Sequence, residues 1–512
     1  MSDSTSTSSV LGSVDPRTPV LIGCGQSLQR PDDPRTASFD TAADPVALMV
    51  EAVRSATADA GLSRVPDVDA LRVVSLLSWR YGGNPALFVA RDLGISTRQY
   101  GISANGGNTP QTLVNNAALE ISSGKADIII LTGGETSRTK ARAKKAGHDL
   151  TWRKTEPDDP AAELVSEDLD MVGEQELKRR LVMPVQIYPM FETAIRAAAG
   201  RGIEEHQVHI SELWSRFSRV AAGNPNAWSR TALTAEQIRT PGPDNRMIGF
   251  PYPKFMNSNN DVDMGAALIV CSAEKAASLG VPKDRWVFIH SGTDCHEHQY
   301  VSNRWTFART PAIELGGKRA LELAGVGIDD IGIVDLYSCF PSAVQLGAQS
   351  LGLDINRQLT RTGGLPFAGG PWNNYVMHAI ATVMNDVRNA PGELGLVWAN
   401  GGYTTKHAFG IYSTTPPKGG FKHQYPQDEI DAMPRRDIAT PEEARGKATL
   451  EAYSVMHGRD GAPEIIHAAC LLADGRRAWG ESADKVLGRE MCAAEFVGRA
   501  VELDANGVFH VA

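Results

Sequence analysis

Asn105-Gly106-Gly107-Asn108, with the segments on either side of it, decides the fold that we predict for this 512-residue chain. An extended segment ends near Ile102, and an apolar run with helical spacing extends from Leu113 to Ile121 and is closed by Gly124. This order predicts a strand, a tight glycine turn and a helix. The next segment, Asp127 to Leu131, is a continuous apolar run, which is typical of a strand covered on both faces.

The same layout returns about 260 residues later, at Ala368-Gly369-Gly370-Pro371. A helix is predicted from about Asn374 to Val387, and Pro391-Gly392 ends it. The apolar run from Leu394 to Val397 then leads to Gly401-Gly402. Two copies of one layout favour a duplicated α/β unit, although short glycine motifs also recur by chance among α/β folds.

A third segment makes this interpretation specific. The stretch NSNNDVDMGAALIV, residues 257–270, resembles the segment that ends the N-terminal half of thiolases. Three further segments agree with thiolases in the right order, namely Gly133-Gly134-Glu135, Val334 to Phe340 and Gly363 to Pro371. The chain therefore resembles the thiolase superfamily from about Pro19 to Thr415. Within that superfamily it is similar to the sterol-carrier-protein-type thiolases.

The resemblance implies an α/β fold in which two thiolase-type halves, each a mixed sheet layered with helices, follow each other. It also implies a loop domain inserted in the first half. Past Pro417 the chain has no thiolase counterpart, and we expect a small C-terminal β-barrel there. The expected division is a disordered tail at 1–16, an N-terminal half at 17–283 with the loop domain at about 138–251, a C-terminal half at 284–417, a linker at 418–434 and the barrel at 435–512.

Short strand candidates and turns alternate in this C-terminal piece. Strands are predicted at Ala448 to Met456, Ile465 to Leu472 and Arg477 to Trp479, a hairpin turns at Asn506-Gly507, and one short helix lies near Glu490 to Val497. A thiolase-like core followed by an OB-like barrel resembles the thiolase-like proteins of type 1. Such a barrel can contact a nucleotide, including the adenosine part of coenzyme A, or dock a partner enzyme of lipid metabolism.

Thiolase chemistry needs a thiolate nucleophile, a base that activates it, a second acid or base at the α-carbon, and donors for the oxyanions. Thiolases supply two cysteines, the histidine of a Gly-His-Pro turn, and a His or Asn before the Phe of the third motif. The equivalent positions of this chain are Gly107, Gly370, Ala399 and Tyr337. Because all four depart from the family pattern, ordinary thiolase turnover is not expected.

Other residues offer reactive groups, and each has a plain structural alternative. The Tyr337 hydroxyl could point into the former site and Cys339 carries a thiol, but both suit simple packing. Thr109 precedes Pro110 and suits a helix start, with Asn108 or Thr109 as the cap, and His378 suits a core or subunit-facing position. The catalytic residues therefore stay unassigned.

Two functions follow from this pattern. The first is an acyl-CoA or coenzyme A binding protein of lipid metabolism that lacks the catalytic Cys, His and Cys. The alternative is an acyltransferase of the acetyl-CoA acetyltransferase type with a reorganised active site.

Coenzyme A carries several phosphate charges, and five positive charges occur within the eight residues from Arg138 to Lys145. In thiolases the chain leaves the core here to form the loop domain that holds coenzyme A. The charges could equally form a solvated face. The candidate contacts for coenzyme A are Arg138, Lys140, Arg142, Asn257, Ser258 and Asn259. No tightly bound cofactor is expected.

Composition argues against other classes of function. The net charge of −9 and a pI near 5.8 argue against a nucleic-acid partner. No run approaches the roughly 20 apolar residues of a membrane helix, and Met1 to Ser13 lacks the regions of a signal peptide. The six cysteines show no paired spacing, so a reduced, cytoplasmic protein is expected. A homodimer is allowed by the resemblance, since thiolases generally pair through their core sheets.

A group of histidines suggests a metal site at first sight. His290, Cys295, His296 and His298 are close in sequence, and His296 and His298 would share one face of a strand. Zinc sites usually show clearer ligand pairs, and thiolases need no metal. No metal is therefore expected, and Trp286 to His290 more simply opens the second half of the core.

Overall fold

The structure is a computed structural model and describes residues 13–511, so most of the tail predicted at 1–16 lies outside the described residues. The strands are β1 (Pro19–Leu28), β2 (Val68–Val73), β3 (Thr97–Ile102), β4 (Ile128–Thr136), β5 (Glu163–Leu164), β6 (Met247–Phe250), β7 (Tyr252–Pro253), β8 (Asp263–Ser272), β9 (Val287–His296), β10 (Ile331–Leu336), β11 (Leu394–Gly401), β12 (Lys406–Ser413), β13 (Lys422–Gln424), β14 (Gly446–His457), β15 (Pro463–Leu471), β16 (Arg477–Ser482), β17 (Ala500–Leu503) and β18 (Phe509–Val511).

The helices are α1 (Pro45–Asp59), α2 (Pro85–Leu93), α3 (Thr109–Ser122), α4 (Ser137–Ala146), α5 (Glu174–Lys178), α6 (Pro184–Ala198), α7 (Ile203–Gly223), α8 (Ala235–Arg239), α9 (Ala273–Ser278), α10 (Pro311–Ala324), α11 (Pro341–Leu351), α12 (Tyr375–Asn389), α13 (Gln427–Asp431) and α14 (Lys485–Ala493).

The main sheet has eleven strands in the order β10-β11-β12-β9-β1-β8-β4-β2-β3-β5, with β13 beside β9. Its two halves meet where β1 and β9 pair antiparallel, with Val20 opposite Phe288. In the first half β4 lies between parallel β2 and antiparallel β8. In the second half β11 lies between parallel β10 and antiparallel β12 in the same way. The predicted duplication of an α/β unit is confirmed.

Helices cover both faces of each half. Helices α3 and α12 contact each other, and each also contacts strands of both halves, so this pair forms the central layer. Helix α1 packs on β1, β4 and β8, and α10 packs on β9 and β12. Every residue of β4 is buried, and the apolar run from Ile128 to Leu131 in its first half suits a strand with helices on both faces, which has no solvent-exposed side.

The glycine turn before α3 starts the helix differently from the prediction. Asn108 makes no capping hydrogen bond through its side chain. The Thr109 hydroxyl donates to the Gly106 carbonyl at 2.8 Å, back into the turn. Pro110 occupies the first turn, where its missing N–H costs no helical hydrogen bond. The helix is therefore initiated by proline and the turn rather than by a side-chain cap.

Between β4 and β8 the chain makes a long excursion that carries helices α4 to α8. Two of its strands extend the sheets of the molecule. Strand β5 pairs with the end of β3, where Gly101 lies opposite Glu163, and so covers the C-terminal end of the edge strand of the main sheet. Strand β6 pairs with β14, where Phe250 lies opposite Val455, and so joins the C-terminal sheet.

The C-terminal sheet has seven strands, with β16-β15-β14-β17-β18 as its main path and β6 and β7 attached through β14. All its strand pairs are antiparallel, which is compatible with a small barrel-like domain. Helix α14 begins five residues before the predicted helix, because the Asp484 carboxylate accepts from the Val486 and Leu487 amides and caps it there. The predicted linker contains β13, which pairs with β9, and the domain boundaries stay predictions.

A buried arginine bonds the C-terminal sheet to the core. Arg477 is fully buried, and its Nη1 donates to the carbonyls of Ser302 and Arg304, the latter at 2.6 Å. Its Nε and Nη2 donate to the two carboxylate oxygens of Glu451 at 2.7 and 2.8 Å. Trp479 Nε1 adds a 2.9 Å bond to Ser302 Oγ. The C-terminal sheet is thus fixed to the core by buried hydrogen bonds.

Candidate functional site

Two of the four positions that we predict to be equivalent to thiolase catalytic residues, Gly107 and Tyr337, lie against each other. A Cβ atom at Gly107 would lie 2.6 Å from Tyr337 Oη and 2.5 Å from the Asn400 carbonyl oxygen. Tyr337 is itself held by its backbone N–H, which donates to the Trp398 carbonyl at 3.1 Å. The tyrosine hydroxyl therefore occupies the space that a side chain at position 107 would need.

The other two positions are also without a reactive group. Ala399 is fully buried in β11, opposite Ala408 of β12. A Cβ atom at Gly370 would lie 2.2 Å from Ser258 Oγ and 3.0 Å from Asn260 Oδ1. The Ser258 hydroxyl thus fills the position where a histidine side chain would begin.

The Gly106 turn is held from both halves of the core. Gly106 N–H donates to Asn373 Oδ1 at 3.1 Å, and Asn373 precedes α12. Lys406 Nζ of β12 donates to the Asn105 carbonyl at 2.5 Å. These bonds cross between the duplicated units, so the turn has little freedom to open around a larger side chain.

A tyrosine of the segment between β4 and β8 packs beside these four positions, and the sequence analysis did not identify it. Tyr188 of α6 stacks on Phe340, with ring centroids 4.4 Å apart. Its hydroxyl accepts from Asn400 Nδ2 at 2.9 Å and from Thr404 N at 3.1 Å, and it donates to the Gly402 carbonyl at 3.1 Å. The sequence around Tyr188 gives no signal for these partners.

The two residues named as alternative nucleophiles are buried and protonated. Burial raises the pKa of the Cys339 thiol to about 12. Burial also raises the pKa of Tyr337 well above its usual value, and nearby Cys339 and Tyr188 act in the same direction. A thiol attacks as the thiolate, so at neutral pH Cys339 offers almost none of the reactive form.

His378 does not replace the catalytic base that is missing at Gly370, because its pKa is far below the usual value for histidine. Its Nδ1 lies 2.7 Å from Gln26 Oε1, and burial lowers the pKa of the ring to about 3. The residue is 3% exposed, in line with the core alternative of the sequence analysis.

A cavity of about 470 Å³ brings together four of the six candidate contacts for coenzyme A. We call it the Asn257 cavity. Its lining includes Arg138, Asn257, Ser258 and Asn259, and also Lys254, Trp228, Phe255 and Phe367. It lies beside Gly370, because Ser258 contacts that glycine.

Two polar groups of the Asn257 cavity are incompletely bonded within the described residues. Arg138 Nη1 pairs with Asp261 Oδ2 at 2.9 Å, but its Nε is buried without a partner. Asn257 Nδ2 donates to the Pro253 carbonyl at 2.7 Å, and its Oδ1 is buried without a partner. The two residues that hold these buried, unpaired atoms thus lie beside the aromatic side chains of the lining.

Lys140 and Arg142 do not line this cavity. Arg142 Nη2 donates to the Thr36 carbonyl at 3.1 Å, and its guanidinium lies over the Phe39 ring at 5.7 Å. Helix α4 turns about 100° per residue, so Lys140 lies about 200° around the axis from Arg138. The five charges of the basic run therefore do not form one surface.

The histidines that suggested a metal are bonded to backbone oxygens. His290 Nε2 lies 2.7 Å from the Thr415 carbonyl, and His298 Nε2 lies 3.3 Å from the Pro434 carbonyl. Within residues 13–511, no three His, Cys, Asp or Glu side chains are grouped as a metal site requires. In the same range no helix has the length and apolar character to cross a membrane.

Comparison with known proteins gives matches to both parts of the chain. A family model described as the thiolase-like protein type 1 additional C-terminal domain matches residues 426–508. The chain is 30% identical to the monomeric SCP2-thiolase like protein type 1 (STLP1) from Mycobacterium smegmatis, whose crystal structure aligns over 98% of this chain and 100% of its own with a TM-score of 0.81.

Two further proteins are more distant. The Ltp2-ChsH2(DUF35) aldolase structure is 20% identical, covers 78% of this chain and 98% of its own, and has a TM-score of 0.57. The benzoylsuccinyl-CoA thiolase subunit BbsB of Thauera aromatica is 24% identical over 186 residues, or 36% of this chain. That match spans 43% of the length of the curated relative.

Proposed function

Since this chain belongs to the SCP2-thiolase-like proteins of type 1, we propose that it binds coenzyme A or an acyl-CoA ester without carrying out the thiolase reaction. The observation that carries the proposal is the Asn257 cavity, which lies beside Gly370 and gathers cationic, amide and aromatic side chains. The Tyr337 hydroxyl fills the space that a side chain at position 107 would need, which supports the absence of the thiolase reaction.

The lining suits the chemistry of coenzyme A. Arg138 and Lys254 offer cations for phosphate oxygens, and guanidinium groups bind phosphate through charge-assisted hydrogen bonds. Asn257 Oδ1 is a free acceptor for an amide N–H, of which the pantetheine arm has two. Trp228, Phe255 and Phe367 offer apolar surface for the arm and an acyl chain. An acyl-CoA as ligand would place the protein in lipid metabolism.

The alternative, an acyltransferase with a reorganised site, needs a nucleophile or an acid from Tyr337 or Cys339. The raised pKa values of both residues favour binding over chemistry. When the members of a catalytic unit are removed together, what remains is mainly the contribution of binding and of oxyanion donors. The six cysteines, all unpaired, support a reducing compartment such as the cytoplasm.

Replacing Arg138 by alanine is expected to weaken coenzyme A binding about tenfold or more, because a charged hydrogen bond to phosphate contributes about 1.5–3 kcal/mol. Arg142→Ala is the matched control, since Arg142 lies on the same helix outside the cavity, and it should leave affinity unchanged. Isothermal titration of both variants with coenzyme A and acetyl-CoA measures this. Absence of any binding to the unaltered protein would remove the proposed function.

The protein is expected to be a monomer of 55.0 kDa. Strand β5 covers the C-terminal end of the β3 edge, and Gln99 Nε2 donates to Glu163 Oε2 at 2.7 Å, so a second chain cannot pair along the full length of β3. The M. smegmatis relative is described as monomeric. Light scattering after gel filtration gives the mass directly. A mass of two chains would show that the homodimer allowed by the thiolase resemblance forms despite β5.

Docking of a partner enzyme of lipid metabolism by the C-terminal sheet is a further part of this proposal. Deletion of 435–512 is a poor test, because it would remove β14 and leave β6 paired with the short β7 alone. Charge reversal at exposed positions of the C-terminal sheet in the full-length protein is the sharper test. An acyl-CoA-processing enzyme that co-elutes with the protein should be lost from such variants, and retention by all of them would contradict docking.

A further inference from the structure

A second cavity, of about 630 Å³, lies where the excursion meets the C-terminal sheet. We call it the junction cavity. Its size is within the range of about 300–1,000 Å³ that small-molecule sites occupy. Its lining includes Gln207, Arg239, Arg246, Phe250, His457 and Arg459. None of them lines the Asn257 cavity, although Ile248 of β6 lines that cavity while Phe250 of the same strand lines this one.

The junction cavity carries an excess of unpaired positive charge. Arg239 and Arg246 are half-buried, and Arg459 is exposed. No carboxylate of residues 13–511 lies within ion-pair distance of these three arginines, and Asp460 is the single acid in the lining. Arg246 Nη1 donates only to the neighbouring Met247 carbonyl, at 3.2 Å. In a chain of net charge −9, three arginines that line one cavity beside a single carboxylate indicate an anionic ligand.

The amide of half-buried Gln207 adds a second, independent requirement. Gln207 Nε2 donates to the Pro251 carbonyl at 2.6 Å. Because that carbonyl can only accept, the amide nitrogen of Gln207 must face it. The amide oxygen, Oε1, therefore points away from Pro251. Gln207 Oε1 is buried without a hydrogen-bond partner. A buried acceptor left unpaired costs free energy, so a ligand that brings an N–H or O–H donor would gain from filling it.

One part of the cavity wall is apolar. Phe250 is 4% exposed, and Met247, Pro241 and Pro243 lie beside it in the lining. Such a surface suits a flat ring or another apolar body between the arginines and the amide. The ligand chemistry that meets all three requirements is a phosphate group attached to a ring system that carries a hydrogen-bond donor.

We propose that the junction cavity binds a nucleotide-type phosphate ester at a site separate from the proposed coenzyme A cavity. The phosphates contact Arg239, Arg246 and Arg459. The base or the ribose lies on the Phe250 side and donates to Gln207 Oε1. The C-terminal sheet then has a binding role, because β14 and the turn after it supply His457 and Arg459 to a site that the core alone does not form.

Isothermal titration at low ionic strength with ATP, pyrophosphate and adenosine tests the proposal. ATP is expected to bind at one site, more tightly than pyrophosphate, and adenosine is expected to bind weakest. Arg239→Ala and Arg246→Ala should each weaken ATP and pyrophosphate about tenfold or more, since each removes a charged hydrogen bond to phosphate. Gln207→Leu should weaken ATP without affecting pyrophosphate.

Arg309→Ala is the control for loss of an exposed positive charge elsewhere, and it should leave ATP binding unchanged. If a half-buried arginine variant fails to fold, Arg459→Ala changes an exposed residue of the same cavity and should act in the same direction. Failure of the unaltered protein to bind ATP or pyrophosphate at millimolar concentration would overturn the proposal. Equal affinity in folded Arg239, Arg246 and Arg459 variants would overturn it as well.

Variants of the two cavities distinguish the two proposed binding sites. Arg138→Ala should weaken coenzyme A and leave ATP unchanged, whereas Arg246→Ala should weaken ATP. If Arg138→Ala is the variant that loses ATP, the nucleotide occupies the Asn257 cavity and the junction site is wrong. If ATP binds but Arg138→Ala leaves coenzyme A binding unchanged, the proposed function is wrong and the junction proposal stands, because coenzyme A carries a nucleotide of its own and can occupy the junction cavity.

Discussion

Arg477→Ala is expected to lower the free energy of unfolding by about 3–5 kcal/mol, which is typical when one partner of a buried ion pair is removed. The substitution leaves the Glu451 carboxylate, 11% exposed, without its cation. It also leaves the Ser302 and Arg304 carbonyls without their shared donor. Buried Arg304 lies close enough for the two positive charges to oppose each other, so a value near the lower end is expected.

Arg476→Ala is the matched control for this prediction. Arg476 is the preceding residue, one-third exposed, and pairs with the half-exposed Asp474 and Glu443. Exposed pairs contribute about 0–1 kcal/mol, so its loss should be small. The loss of unfolding free energy in Arg477→Lys should lie between those of the two alanine variants, because the charge stays but the bidentate contact with Glu451 is lost. Urea denaturation followed by tryptophan fluorescence measures all three, and equal stability of the two alanine variants would contradict the buried-pair argument.

The duplicated core could be predicted because its signals are local. Each half shows a glycine turn, a helical apolar run and a continuous apolar strand within about 30 residues, and these read directly as α3 with β4 and α12 with β11. The long strands of the C-terminal sheet were predicted for the same reason. The start of α14 was missed because the cap at Asp484 was not recognised ahead of a short, weakly apolar helix.

The site could be predicted only in part. The absence of a thiol at Gly107 and of a base at Gly370 is visible in the sequence. The sequence does not show that Tyr337 fills the space beside Gly107, because Tyr337 follows Gly107 by 230 positions and meets it only through the packing of the two halves. Tyr188 belongs to the excursion, and nothing in its neighbourhood indicates that its hydroxyl bonds Asn400. The arginines of the junction cavity likewise come from segments more than 200 residues apart.

Restoring a cysteine at position 107 is not expected to restore chemistry. Gly107→Cys would place its Cβ 2.5 Å from the Asn400 carbonyl oxygen and 2.6 Å from Tyr337 Oη. Overpacking of this kind costs about 1–3 kcal/mol of unfolding free energy. Gly370 offers no histidine to lower the pKa of the new thiol, so incubation with acetyl-CoA should give no rapid acyl adduct on the introduced cysteine by intact mass and peptide mapping.

The double variant Gly107→Cys with Tyr337→Phe separates steric hindrance from the missing base. Removing the hydroxyl relieves the contact with Oη, so part of the stability should return, while the contact with the Asn400 backbone remains. Gly223→Cys is the control, because that glycine is exposed and a Cβ there meets no atom within 4 Å. Its thiol should react freely with iodoacetamide, whereas Cys339 should not until the protein is unfolded. If the single variant is as stable as the unaltered protein and is acylated at once, then space and a base are both present, and the site is one substitution away from a working thiolase.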